Sequence, residues 1–200
     1  EENFQQIFGT NDPRYVQTQM HKLYTLQPYG FYYILGTRNV PAFRWWEQFS
    51  RFDLAKPDND SERFGYVVEI DPMKPDSKPI KRTALSRIKH ENAELTIAPD
   101  GRVVVYMGDD EVNQFVYKYV SKGKYDPSTQ AKTGVNEMSG LLDDGTLYVA
   151  KFDDGGKGQW LELAPGKNGI PTKQQDPKYG FDEAEICVYT RFAAAIAGAT

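Results

Sequence analysis

An Asp-Gly turn between two strand-like runs occurs twice in the same setting, and this repeat constrains the fold more than any other feature. The first copy runs Glu94-Leu95-Thr96-Ile97-Ala98, then Pro99-Asp100-Gly101, then Arg102-Val103-Val104-Val105-Tyr106-Met107. The second leads through Ser139-Gly140-Leu141-Leu142 into Asp143-Asp144-Gly145 and out along Thr146-Leu147-Tyr148-Val149-Ala150-Lys151-Phe152. Asp-Gly in such a context is among the strongest short-range hairpin signals. A third strand follows each copy, at residues 115–120 and 160–163. The turns at Asp100 and Asp144 lie 44 residues apart, and a period of about 40 to 50 with several short strands per unit marks the blades of a propeller. A β-sandwich accommodates the same pattern. Thirteen Tyr and eleven Phe add to the case for strands, which favour aromatic side chains. The expected fold class is therefore mainly β: a partial β-propeller of about two to three blades of antiparallel strands with a C-terminal helix.

Around this repeat the chain divides unevenly. Residues 1–63 form an irregular opening segment, with a short strand expected at 31–35 and a helical turn in the aromatic stretch 41–52. Residues 56–62 read as a loop from their breakers and charges. Residues 64–163 carry the repeated blade hairpins, preceded by strands at 64–71 and 80–88. A helix is expected over 182–197. Asp182 and Glu185 make a capping-box start, Ala184, Val188, Phe192 and Ala195 share one face, and Gly198 terminates it.

The hairpins also gather acid. Pairing about the Pro99–Gly101 turn puts Glu91 across from Asp109, with Asp110 and Glu111 next to it. The second turn brings Glu137 near Asp153 and Asp154 by the same reasoning. Like charges so placed repel unless a cation sits among them, and carboxylate oxygens suit calcium, magnesium or ferric iron. A solvated acidic turn is the bland alternative. His90 adjoins Glu91, but neighbours on a regular strand face opposite ways and would not share one ion. His21 has no motif around it and reads as a packing residue.

Several function classes are disfavoured. The net charge of −4 argues against a nucleic-acid partner, and no apolar run is long enough to span a membrane. Gly155-Gly156-Lys157-Gly158 lacks the spacing and following helix of a phosphate loop and reads as a hairpin turn. Cys187, the single cysteine, lies between Ile186 and Val188 and reads as a buried apolar residue. The opening Glu1-Glu2-Asn3-Phe4 carries neither Met nor a signal peptide, as expected of a processed product or an excised piece.

Several stretches in order give the chain a family likeness. These are Arg51-Phe52-Asp53-Leu54-Ala55-Lys56, Arg63-Phe64-Gly65-Tyr66-Val67-Val68-Glu69-Ile70-Asp71-Pro72, Lys89-His90-Glu91-Asn92-Ala93 and Val105-Tyr106-Met107-Gly108-Asp109-Asp110-Glu111. Gly145-Thr146-Leu147-Tyr148-Val149-Ala150-Lys151-Phe152, Glu1-Glu2-Asn3-Phe4 and Thr190-Arg191-Phe192-Ala193-Ala194 extend it nearly end to end. In these the sequence resembles the PhoX-type bacterial alkaline phosphatases. The resemblance implies a propeller enzyme exported to the periplasm or beyond, which hydrolyses phosphate monoesters with calcium and ferric ions at the channel mouth.

By the same resemblance Glu91 and Asp110 are metal ligands, Asp109 and Glu111 are further candidates, and Glu1 and Glu2 match an acidic pair near the ions. The family's iron-binding cysteine and an Arg-Pro-Glu segment fall outside these 200 residues, and Cys187 does not match the iron-ligand position. The chain is accordingly expected to be an internal fragment of a single propeller domain, inactive alone, completed by the rest of its propeller, and prone to associate through unpaired blade edges. The competing expectation is a non-catalytic propeller stabilised by calcium that serves as a binding or scaffold domain.

Overall fold

The computed structural model describes residues 1–28, 43–128 and 138–200. It forms two compact units, residues 1–65 and 66–200. The strand expected at 31–35 and residues 41 and 42 of the aromatic segment lie outside the described residues.

The first unit is built from turns around an aromatic core. Its one α-helix among the described residues, α1 (Gln19–Leu23), starts where the Thr18 hydroxyl accepts the His21 N–H. Single 3₁₀ turns at Phe4–Gln6, Trp45–Glu47, Ser50–Phe52 and Ser61–Arg63 supply the rest, two of them within the segment expected to turn. Phe8 is fully buried, with Phe52 and Phe64 edge-on at 5.4 and 5.3 Å, a geometry that adds to simple burial. Gly9 is required by space, since a Cβ there would sit 2.8 Å from the Trp46 ring. His21 is a packing residue, bonded to the hydroxyls of Tyr15 and Ser61. Burial raises the Tyr15 hydroxyl to about 12.

In the second unit the sequence becomes strands. A two-stranded antiparallel sheet pairs β1 (Val67–Glu69) with β2 (Ile80–Arg82). A five-stranded antiparallel meander follows: β3 (Glu94–Ile97), β4 (Arg102–Gly108), β5 (Val116–Lys124), β6 (Gly145–Phe152) and β7 (Gly158–Glu162), in that spatial order. Alternation sorts its side chains. Val103, Val105 and Met107 of β4, Tyr117 and Tyr119 of β5, and Leu147 and Val149 of β6 point into one core. Two helices complete that core, α3 (Glu183–Val188) and α4 (Thr190–Ala197), through Ile186, Ala193 and Ala194. The opposite face carries the cross-strand row Glu94, Tyr106, Lys118, Tyr148 and Glu162. There the Lys118 ammonium lies 4.9 Å from the Tyr148 ring and 4.6 Å from that of Trp160.

Mainly β with C-terminal helices is thus the fold class. The two Asp-Gly turns, however, are not equivalent. The first closes the β3–β4 hairpin, with Gly101 at φ +89°, where a side chain is disfavoured. The second closes no hairpin with residues 139–142. The short helix α2 (Met138–Leu141) occupies most of that stretch, and β6 pairs with β5 and β7 instead. Gly145 is needed for a different reason, because its Cβ would lie 2.5 Å from the Val120 carbonyl and the Tyr119 ring. The adjoining Asp143 carboxylate takes both its bonds from the buried Arg82 guanidinium, at 2.8 and 2.9 Å, and Glu69 accepts from the same guanidinium at 2.7 Å.

The C-terminal helix is likewise two. The Asp182–Glu185 capping box forms as read, and Gly198 ends α4 in a left-handed conformation. Between them Tyr189 breaks the run, and the Thr190 hydroxyl donates to the Ile186 and Cys187 carbonyls. The break resets the phase, so Ala184 and Ala195 of the expected face are exposed while Ile186, Thr190, Arg191, Ala193 and Ala194 are buried. Burial pushes the Cys187 thiol up to about 11, and Glu183 and Asp182 add to it.

The two glycines should therefore answer one substitution differently. Asn tolerates left-handed backbone, so Gly101→Asn should cost about 1 kcal/mol or less. Gly145→Asn forces a side chain into a filled space and should cost about 2 kcal/mol or more. Urea denaturation of both variants measures this, and equal losses would show that the two turns share one constraint after all.

Candidate metal centre

The ladder next to β3 and β4 positions the acidic residues, and it does so one residue away from simple hairpin pairing. Continued from Glu94↔Tyr106, the register would set Glu91 opposite Asp109. Instead His90 pairs with Asp109, and the Glu91 N–H donates to the Gly108 carbonyl at 3.2 Å. The slip is made by Asn92, whose side-chain oxygen accepts the Gly108 N–H at 3.2 Å in place of a backbone carbonyl. A one-residue slip sends every side chain to the other face. His90 and Asp109 turn inward and are buried, while Glu91 and Asp110 emerge on the exposed side. The His90 Nε2 lies 3.1 Å from the Ser86 carbonyl. His90 and Glu91 do face opposite ways, as strand geometry requires.

The three consecutive acids Asp109-Asp110-Glu111 then meet three fates. Asp109 is gripped by the Arg191 guanidinium, Nε to Oδ2 at 2.7 Å and Nη2 to Oδ1 at 2.5 Å, and both side chains are fully buried. Its Oδ1 also accepts the Lys89 N–H at 3.2 Å. Glu111 is ion-paired with the buried Lys89 ammonium. Burial drives that ammonium's pKa down, with Glu111 pulling against it. Asp110 keeps its carboxylate outside, while its backbone N–H donates to Lys89 O at 2.9 Å.

Glu91 and Asp110 thus each present an oxygen within 4.8 Å of the other. Among the described residues neither carboxylate has a hydrogen-bond or ion-pair partner. Two converging, solvent-reachable carboxylates are hard donors that fit calcium, magnesium or ferric iron. Asp109 and Glu111 are spent on Arg191 and Lys89, which lie 82 and 22 residues from them in sequence.

Glu1, Glu2 and Asp153 have hydrogen-bond partners within their own units. In the first unit the Glu1 carboxylate accepts the Gly65 N–H at 3.0 Å and Glu2 accepts from the Asn3 amide at 2.7 Å. Asp153 caps its own hairpin turn, accepting from the Gly155 and Lys157 N–H groups at 3.0 and 2.9 Å. Gly155 to Gly158 is indeed a turn between β6 and β7. Glu137 lies outside the described residues.

The segment presenting Glu91 carries strain. Ser86 is fully buried at φ +73°, ψ 163°, and its hydroxyl has no hydrogen-bond partner among the described residues. That region of backbone space is essentially reserved for glycine. Its neighbour Arg87 docks the segment on the α3–α4 junction, its N–H donating to the Cys187 carbonyl at 2.9 Å.

Comparison with known proteins gives the family of the chain. The family model for Alkaline phosphatase PhoX matches residues 1–200. A solved structure of Pseudomonas fluorescens PhoX, in complex with vanadate, a transition state analogue, is similar at 43% identity with a TM-score of 0.83. The match covers 100% of this chain and 33% of that one, so the chain spans about a third of the length of that relative. No curated protein matches the chain. No helix among the described residues is long and apolar enough to cross a membrane.

Relieving the strain at Ser86 should be measurable. Ser86→Gly should raise stability by about 1 kcal/mol, the relief of backbone strain outweighing glycine's greater freedom in the unfolded chain. Ser86→Ala, which keeps the Cβ, should gain less. Equal gains in chemical denaturation would mean that the orphaned hydroxyl, not the backbone, is the source.

Proposed function

This chain belongs to the PhoX alkaline phosphatase family, and on that footing we propose that the whole protein hydrolyses phosphate monoesters at a metal cluster to which Glu91 and Asp110 contribute. The observation that carries this reading is the convergence of two unpartnered, exposed carboxylates within 4.8 Å, at a place where the adjoining cations are already paired. A nearby free lysine or arginine would neutralise the pair. Here Lys89 and Arg191 are bound to Glu111 and Asp109, so negative charge is left for a cation.

In this reading calcium is the ion that Glu91 and Asp110 hold. Ferric iron, if part of the cluster, takes its cysteine from outside these residues. Bound metal would stabilise the charge on the phosphoryl oxygens and activate the attacking oxygen. The chain's own work is narrower: it fixes two ligands on a rigid ladder, keeps Asp109 and His90 turned inward, and keeps Lys89 from closing the site. Vanadate occupies the Pseudomonas relative, and a phosphoryl-like inhibitor of that kind should compete with substrate in the whole protein too. Export to the periplasm or the medium belongs to the same proposal, as does packing of this piece against the rest of its propeller. The alternative, a calcium-stabilised binding domain without chemistry, differs in one outcome of the test below.

The test is metal analysis of the whole protein together with a phosphomonoester assay, with and without chelator. Activity should vanish on chelation and return with calcium, and Glu91→Ala should lower it by about tenfold or more. Full activity in Glu91→Ala would remove Glu91 from the site. Calcium bound with no ester hydrolysis would favour the binding-domain alternative.

A further inference from the structure

We propose that Arg191 is a positioning residue for the cation site: through Asp109 it sets the spacing of the Glu91 and Asp110 carboxylates. The inference rests on the reading of Glu91 and Asp110 as cation ligands. Arg191 lies on α4, 82 residues beyond Asp109 in sequence, and its guanidinium is bonded to Asp109. Its influence runs through one chain of contacts.

The guanidinium fork holds both Asp109 oxygens, which leaves the carboxylate a single orientation. One of those oxygens also accepts the Lys89 N–H at 3.2 Å. Lys89 in turn accepts the Asp110 N–H on its carbonyl at 2.9 Å, and Glu91, two residues on, donates to Gly108 at 3.2 Å. Backbone on both sides of the carboxylate pair is thus tied to one buried side chain, and that side chain is tied to the helix. Without the fork, Asp109 would be a third anion beside Glu91 and Asp110, free to swing outward. The pair therefore fixes both the geometry of the site and its number of available charges. Outer groups that orient a ligand are commonly worth 10- to 100-fold in metal affinity.

The test measures calcium affinity of the whole protein by competition with a fluorescent chelator, beside the melting temperature of the metal-stripped form. Arg191→Lys keeps the charge and removes the fork. Calcium binding should weaken about tenfold while the circular dichroism spectrum stays unchanged. In a Glu91→Gln/Asp110→Asn background the same substitution should leave the residual calcium affinity as it was, because coupled sites are not additive. If Arg191→Lys does not fold, the neutral pair Asp109→Asn with Arg191→Gln replaces it, with the same expectation. Parental affinity in the folded variant, or an equal loss in both backgrounds, would reduce Arg191 to a core packing residue. Glu91→Gln alone, with Arg191 intact, separates the two failures: parental calcium affinity there sinks the cation-site reading itself.

Discussion

A buried ion pair is an expensive way to hold a protein together. Taking Arg191 and Asp109 fully out of water costs several kcal/mol for each ion, and only close, well-directed bonds offset it. Both Asp109 oxygens are met by the fork, and one also receives the Lys89 N–H. With these bonds made, α4 is fastened to the end of β4 and the segment carrying Glu91 is fastened to both. An apolar pair of similar volume could fill the same space. It could not prescribe where a neighbouring backbone N–H must point, which is what a charged, directional contact adds.

The same contact explains why three adjacent acids behave so differently. Strand alternation alone would separate Asp110 from Asp109 and Glu111. The cations complete the division, Arg191 taking the first acid and Lys89 the third. Arg82 repeats the device at the other end of the sheet, where Glu69 and Asp143 meet on its buried guanidinium. Burial works to lower the pKa of Arg82, but the two carboxylates overcome it and raise it. Buried cations thus join successive pieces of the second unit, whereas the first unit relies on Phe8, Phe52 and Phe64.

What the sequence revealed was chiefly what local chemistry decides. The β3–β4 hairpin, the Asp182 cap, the Gly198 stop and the 155–158 turn each depend on a few adjacent residues, and each could be read directly. The failures all involve distant partners. Gly145 looks like Gly101 in sequence, yet its constraint is a neighbouring strand. At the break by Tyr189 the Cys187 carbonyl accepts the distant Arg87 N–H, a contact that no helical periodicity records. The slip at Asn92 depends on a side chain standing in for a carbonyl, so Glu91 and Asp110 could be named as candidates while their true pairing could not. Arg191 carried a family likeness but no visible role, because its partner lies 82 residues away.

That separation has a consequence in time. The meander from β3 to β7 is made of neighbours in sequence, and such contacts close quickly. The Arg191–Asp109 and Arg87–Cys187 contacts close loops of 82 and about 100 residues, whose entropy must be met before any reward arrives. During synthesis the sheet can therefore form while Arg191 is still inside the ribosome. Asp109 remains an unmatched carboxylate until α4 emerges and docks. The contacts around Glu91 and Asp110 are therefore completed only when the helices dock, at the end of this chain's assembly.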